Sequence, residues 1–181
     1  MKIIHLKQAD FSTSRWSGGT TTELLIWPEG ACYATRAFQV RISSAVVELA
    51  ESDFTPLAGV TRYITPLAGG FTLTHPGKEP VVMGPLAAPY RFSGEESTHC
   101  VGTATDFNLM LKGVEGEMCL AAGRTPVCPG LNAFYAPEHR RFAVDGRVFD
   151  MEAGQLLVIF ADEPGSIDLG QGDCLVCRAD I

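Results

Sequence analysis

The stretch "FQVRISSAVVE", Phe38–Glu48, alternates between two kinds of side chain, and that alternation decides the fold class. Successive residues of a strand point to opposite faces. One face carries Phe38, Val40, Ile42 and Val46, a core face by pattern. The other carries Gln39, Arg41, Ser43, Ala45 and Val47, which is small and polar around a single arginine. Such a face suits the lining of a pocket, the alternative being that Arg41 simply faces solvent.

The same rhythm runs outward in both directions. Apolar or alternating runs predict strands at Lys2–Leu6, Thr21–Trp27, Thr61–Leu67, Gly70–Thr74, Arg91–Phe92 and Phe107–Leu111. They recur at Gly116–Ala121, Ala133–Tyr135, Val148–Met151, Gln155–Phe160 and Asp173–Arg178. Gly and Pro punctuate the runs, as they do between strands. No window shows a convincing 3.6-residue apolar stripe, and Ala45–Ser52 comes nearest to a helical piece. Many short strands with frequent turns predict an all-β sandwich or small barrel. "LAGGFTL" (Leu67–Leu73) and "MEAGQLLVI" (Met151–Ile159) each set a Gly turn before a strand, as the repeated element of a double cupin does. The expected lobes are 1–111 and 112–181; with no linker-like segment between them, they would pack as one compact unit.

Composition narrows the function. The chain has 181 residues, 46% of them hydrophobic and 19% charged, with a formal charge of −7. That balance argues against nucleic acid and anionic membrane as partners, since both need concentrated positive charge. Ten of the 14 cationic residues are arginine, whose planar fork matches carboxylates, so small anions remain candidate ligands. The N-terminal stretch lacks an apolar signal core, and no run is long enough to span a bilayer. The reading is a cytoplasmic protein whose six cysteines are free thiols.

Familiar catalytic motifs are missing. "RWSGGTTTEL" (Arg15–Leu24) looks like a phosphate loop, but no lysine follows its glycines and Glu23 would repel phosphate. The four histidines form no H-x-H or H-x-x-x-H pair, and Cys174 and Cys177, three apart on a strand, point to opposite faces. No metal site and no cofactor is expected. No nucleophile elbow or Cys/His arrangement is visible either.

Charged residues inside strands say more. In "GVTRYITPL" the alternation groups Val60, Arg62 and Ile64, so Arg62 lies between two aliphatic neighbours. Burying an arginine without partners costs several kcal/mol; the face is therefore exposed, or Arg62 has an acidic partner or a ligand. In "TDFNLML" Phe107, Leu109 and Leu111 form a core face, with Asp106 and Asn108 opposite. Asp, Asn and Arg converging on one cavity could hold a small polar molecule; turn chemistry is the other use of Asp and Asn.

In order and spacing these elements resemble the HutD/Ves family. Its R-x-S-x-A strand falls on Arg41, Ser43 and Ala45, its FS-x-FPG-x-x-R element on Phe54, Gly59 and Arg62, and its D-F/L-N-x-M element on Asp106, Phe107, Asn108 and Met110. The likeness is strongest from about residue 15 to 111 and continues more weakly to the C-terminus. The family's W-x-N-G-G-G-x-T-x-E run matches at Gly19, Thr21 and Glu23 but lacks its Asn. Either the family Trp falls on Ser14, or two residues are deleted and Trp16 keeps its place.

The resemblance implies a metal-free bicupin, two cupin-like lobes packed together, linked to histidine utilisation, with anionic pathway intermediates as natural ligands. The expected site comprises Thr21, Glu23, Arg41, Ser43, Arg62, Asp106 and Asn108. Arg62, with Arg41, would pair with a carboxylate through charge-assisted hydrogen bonds, and urocanate, formiminoglutamate and N-formylglutamate are the first ligands to consider. The expected role is sensing or flux modulation in histidine or other amino-acid catabolism, with a homodimer allowed for. The alternative is a metal-independent isomerase or hydrolase using Glu23 or Asp106 as acid or base. A third reading makes Arg62 a structural ion pair with Asp106 or Glu23.

Overall fold

The computed structural model describes all residues, Met1–Ile181. Strands dominate it, and the one helical piece is a single 3-10 turn at Gln8–Asp10. No helix is long and apolar enough to cross a membrane. Ala45–Ser52, the nearest to a helix by sequence, is instead the end of the strand Val40–Val47, a bend and the start of the strand Glu51–Asp53. Val and Ile favour that outcome, because branching at Cβ restricts χ1 in a helix and packs well on a pleated surface.

The chain divides into two compact units, Ser12–Gly113 and Met1–Phe11 with Val114–Ile181. The chain divides after Gly113, and the first eleven residues count with the C-terminal unit. Lys2–Leu6 pairs antiparallel with Leu156–Ala161, which periodicity alone cannot foretell, since it marks a strand without naming its partner.

In the C-terminal unit a five-stranded sheet is ordered Lys2–Leu6, Leu156–Ala161, Gly130–Tyr135, Cys174–Ala179, Gly116–Ala121. A four-stranded sheet is ordered Arg124–Val127, Gly165–Asp168, Arg140–Val144, Arg147–Met151. Phe134, Leu157 and Val176 of the first pack with Phe142, Met151 and Ile167 of the second in one buried cluster. This is a sandwich whose core comes from the inner faces of both sheets.

The unit Ser12–Gly113 repeats that plan. Its six-stranded sheet is ordered Ser12–Trp16, Gly19–Trp27, Val40–Val47, Ala104–Lys112, Val60–Gly69, Tyr90–Ser93. The second sheet is ordered Glu51–Asp53, His99–Val101, Phe71–Thr74, Val81–Met83. Ile64 and Phe92 of the larger sheet meet Phe71, Leu73 and Cys100 of the smaller. On the far face of the larger sheet Val40, Ile42, Phe107, Leu109 and Leu111 are buried, as alternation requires. Val46, assigned to that face by sequence, is 42% exposed, because the strand there runs out beside the Ser17–Gly18 turn.

Two bulges break the register of the larger sheet. Leu24 is skipped between Glu23↔Ser43 and Leu25↔Ile42, and Leu67 is skipped between Asp106↔Pro66 and Thr105↔Ala68. An extra residue bends its strand and re-aims the neighbouring side chains. It also gives Pro66 a place inside a sheet, where a missing N–H is otherwise excluded.

Candidate functional site

The inner face of the six-stranded sheet opens into a cavity of about 500 Å³. Its floor is built by alternation across four adjacent strands. Thr21, Ala45 and Asp106 share one cross-strand row; Ser43 and Asn108 lie in the next, and Arg41, Met110 and Arg62 in the third. Other elements supply the walls: Ser14, Trp16 and Ser17 of the first hairpin, Tyr33 and Arg36 of the segment before Phe38, Ser52 and Asp53 of the smaller sheet, and Phe54 and Thr55 just after it. Six of the seven residues expected at the site line this cavity. Glu23 does not line it; its carboxylate holds Arg41, accepting from Nε at 2.7 Å. Arg41 also donates to Ser43 Oγ at 3.3 Å.

Arg62 is arranged differently. It is 7% exposed, lies between the buried aliphatics Val60 and Ile64, and has no carboxylate within ion-pair distance. One Nη donates to Asn108 Oδ1 at 3.3 Å, while its buried Nε has no acceptor. The guanidinium carbon lies 4.8 Å from the Phe54 ring centroid and 5.1 Å from that of Phe92. Such cation–π contacts contribute roughly 0.5–2 kcal/mol each when desolvated, less than a direct ion pair would. Burial lowers the Arg62 pKa from its ordinary value, Asp106 opposes that shift, and the charge of Arg41 adds to it. The ion pair of Arg62 with Asp106 or Glu23, the third of the readings above, is not formed: neither carboxylate lies within salt-bridge distance of it.

Asp106 is occupied on its own side. Its Oδ1 accepts from the Ala45 N–H at 3.2 Å and from the Asn108 side-chain amide. Burial pushes its carboxyl up to about 7, against the lowering effects of the Ala45 hydrogen bond, Arg62 and Asn108. A carboxyl with that pKa is available in both protonation states near neutrality.

The stretch that resembled a phosphate loop is a tight hairpin forming one wall. Trp16 pairs with Gly19 across the two-residue turn, and its indole N–H donates to Thr21 Oγ1 at 3.1 Å. Gly18 lies under that indole, where an added Cβ would meet a ring carbon at 2.0 Å. Gly19 has φ +148° and approaches the Val46 carbonyl so closely that a Cβ would stand 1.8 Å from its oxygen. Both glycines are there for space, and the threonines for the strand.

Sequence reasoning missed the aromatic and loop components, Trp16, Tyr33, Arg36, Phe54 and Thr55. Phe54 carried a signal through its place in the family element ending at Arg62, and Trp16 through the family run in which it is one of two candidates for the Trp. The residues of the 31–37 segment have no periodicity to betray them.

Two sandwiched sheets in each unit, with a polar cavity on the inner face of one, are cupin architecture. A cupin 2 conserved barrel domain protein from Leptotrichia buccalis superposes with a TM-score of 0.60 at 12% identity, covering 92% of this chain and 91% of that one. More particularly, the HutD family model matches residues 8–181, and the chain belongs to the HutD family. A conserved protein of unknown function from Pseudomonas aeruginosa PAO1 is similar with a TM-score of 0.84 at 20% identity, with 100% of both chains covered. HutD from Pseudomonas fluorescens SBW25 is similar with a TM-score of 0.82 at 23% identity, with 98% of both covered. At these identities the likeness establishes the fold. Comparison with curated proteins finds no match.

Proposed function

We propose that the cavity of the unit Ser12–Gly113 binds a small carboxylate-bearing metabolite and that the protein senses or modulates flux in amino-acid catabolism. The observation that carries this reading is Arg62. Its guanidinium is buried in the wall of a cavity large enough for such a ligand, with an Nε lacking an acceptor and no carboxylate in ion-pair distance. A ligand carboxylate would supply both the missing acceptor and the counter-charge. Arg41, already oriented by Glu23, and the Thr21, Ser43 and Asn108 side chains are placed for the polar remainder. Membership of the HutD family makes histidine utilisation the first pathway to consider, with urocanate, formiminoglutamate and N-formylglutamate as trial ligands. A thermal-shift series with these acids tests the proposal. Stabilisation should rise with ligand concentration in the wild type and be lost in Arg62→Ala. Absence of a shift with any acid, alongside a badly destabilised Arg62→Ala, would make the arginine structural.

One observation favours a second reading, a metal-independent isomerase or hydrolase. The Asp106 carboxyl lines the same cavity with its pKa pushed to about 7, close to the value that suits a general acid or base. Glu23, the other candidate, is engaged by Arg41 and does not line the cavity. If this reading holds, Asp106→Asn abolishes product formation while leaving ligand-induced stabilisation in place. Stabilisation by an acid that the wild type leaves chemically unchanged rejects the enzyme and keeps the binder.

A further inference from the structure

Asp106 and Arg62 share the cavity without forming an ion pair, and one side chain stands between them. Arg62 donates from an Nη to Asn108 Oδ1 at 3.3 Å, and the Asn108 amide donates in turn to Asp106 Oδ1. The acid and the cation are joined through a neutral amide. It fixes their orientation and leaves their charges to act on each other through space.

Asp106 is 3% exposed, and burial pushes its carboxyl up to about 7. The Ala45 N–H, Arg62 and Asn108 oppose that shift, and of these only Arg62 carries a charge. The other charged or titratable groups around the cavity are already committed. Arg41 is paired with Glu23, Arg36 lies over the Tyr33 ring, and Asp53 is bonded to His99. From the smaller sheet the Cys100 thiol faces the field of Asp106; burial first, and then Asp106, push it up to about 11, so it stays neutral.

A carboxylate arriving on Arg62 changes this balance twice. It cancels the one full charge that favours the ionised acid, and it brings a negative charge into the same cavity. A cavity of about 500 Å³ is roughly 10 Å across. Over that distance, in a partly buried setting, two unit charges shift a proton equilibrium by about tenfold or more.

We infer that ligand binding in this cavity is coupled to uptake of a proton by Asp106, so that the site reads pH together with ligand concentration. This rests on the carboxylate-binding reading above. The proton comes from solvent and goes to the Asp106 carboxylate, and no covalent bond of the ligand changes. By reciprocity, protonation strengthens binding by the same factor as binding strengthens protonation. The raised carboxyl of Asp106 holds its proton below about 7. Affinity is therefore highest at the acid end and falls as pH rises through about 7. It levels off above the still higher value that the ligand imposes.

Isothermal titration calorimetry with N-formylglutamate, whose carboxyl groups stay ionised throughout, tests this on the full chain from about pH 6 to 9 at constant ionic strength. The wild type should lose roughly tenfold or more in affinity across that range. Near pH 8, binding heats in HEPES and in Tris, which differ in ionisation enthalpy, should report uptake of about 0.4 proton or more per ligand. Asp106→Asn resembles the protonated acid. It should bind at about pH 9 as tightly as the wild type does at about pH 6, with no dependence on buffer. Its unliganded unfolding midpoint serves as the folding control, and the wild-type measurements stand whether or not the variant folds. Wild-type binding that is flat with pH and takes up no proton overturns the coupling and leaves the carboxylate reading standing. A slope that persists in Asp106→Asn does the same, because the proton then goes to another group. So does a folded Asp106→Asn that binds at no pH, because the carboxylate is then a direct contact. Failure of N-formylglutamate and the other trial acids to bind at any pH overturns both together.

Discussion

Arg41 and Arg62 face one cavity from opposite sides of the strand Ala104–Lys112, both in register with Met110, yet only Arg41 is paired with a carboxylate. The same residue type in the same row thus does two jobs. Arg41 is held by the Glu23 carboxylate, and Arg62 by the Asn108 amide oxygen and the rings of Phe54 and Phe92.

The Glu23–Arg41 pair is partly buried, with side chains 26% and 8% exposed. Glu23→Gln should destabilise the fold by about 1–3 kcal/mol, below the figure for a fully buried pair because Glu23 still meets solvent. Glu48→Gln, which breaks the exposed pair with Arg15, should cost less than about 0.5 kcal/mol. Urea titrations of both variants measure the difference, and equal costs would contradict the burial assigned to Arg41.

Asp106 sets a pH dependence of stability. Its folded pKa of about 7 lies above the ordinary value of 3.8. Between those two values the folded state retains a proton that the unfolded state has lost. Stability present at the acid end therefore falls as pH rises from about 3.8 and levels off above about 7. Asp106→Asn keeps an oxygen acceptor for the Ala45 N–H and cannot ionise. It should remove that decline and stabilise the protein at pH 8 by up to a few kcal/mol. Denaturant midpoints from pH 4 to 8 check it; an unchanged slope in the variant would place the titration elsewhere.

Gly19→Ala forces a Cβ against the Val46 carbonyl at φ +148°, and neither backbone can yield without opening the sheet. The expected loss is about 2–4 kcal/mol. Gly30→Ala is the control: φ is +82° there, but nothing lies within 4 Å of the added methyl, so about 1 kcal/mol of backbone strain is all that should appear. Thermal unfolding of the two variants separates strain from collision.

Gly18→Ala meets a different obstacle, the Trp16 indole at 2.0 Å, which can swing away. The fold should lose no more than about 1 kcal/mol, since one exposed hydrogen bond and a partly exposed ring contact are disturbed. The Trp16–Thr21 bond would break, and a red shift in tryptophan emission would report the indole moving into water. Unchanged emission would show that Trp16 holds its place without the space Gly18 leaves.

Much of the site was legible because it lies on regular strands. Arg41, Ser43, Arg62, Asp106 and Asn108 all follow from alternation, since apolar neighbours fix which face each one takes. Alternation fails where both faces are wet or where the ladder slips. Ser12–Trp16 is exposed throughout and carries no apolar signal, and the short strands Glu51–Asp53 and His99–Val101 are no better marked. The bulge at Leu24 shifts parity, so that Ile26 rather than Leu25 stands opposite Arg41. Arg36 could not be found at all, because a left-handed turn residue owes its direction to contacts distant in sequence.

Both bulges lie to the same side of the row in which Arg41, Met110 and Arg62 stand, and that row is unbroken. The Cα separation of the two arginines is consequently fixed by the inter-strand spacing, whereas each guanidinium, at the end of a rotatable side chain, is placed by the partners that hold it. The Tyr33–Arg36 turn, which lies outside the ladder and meets Arg41 through the Tyr33 ring, can change without disturbing that row.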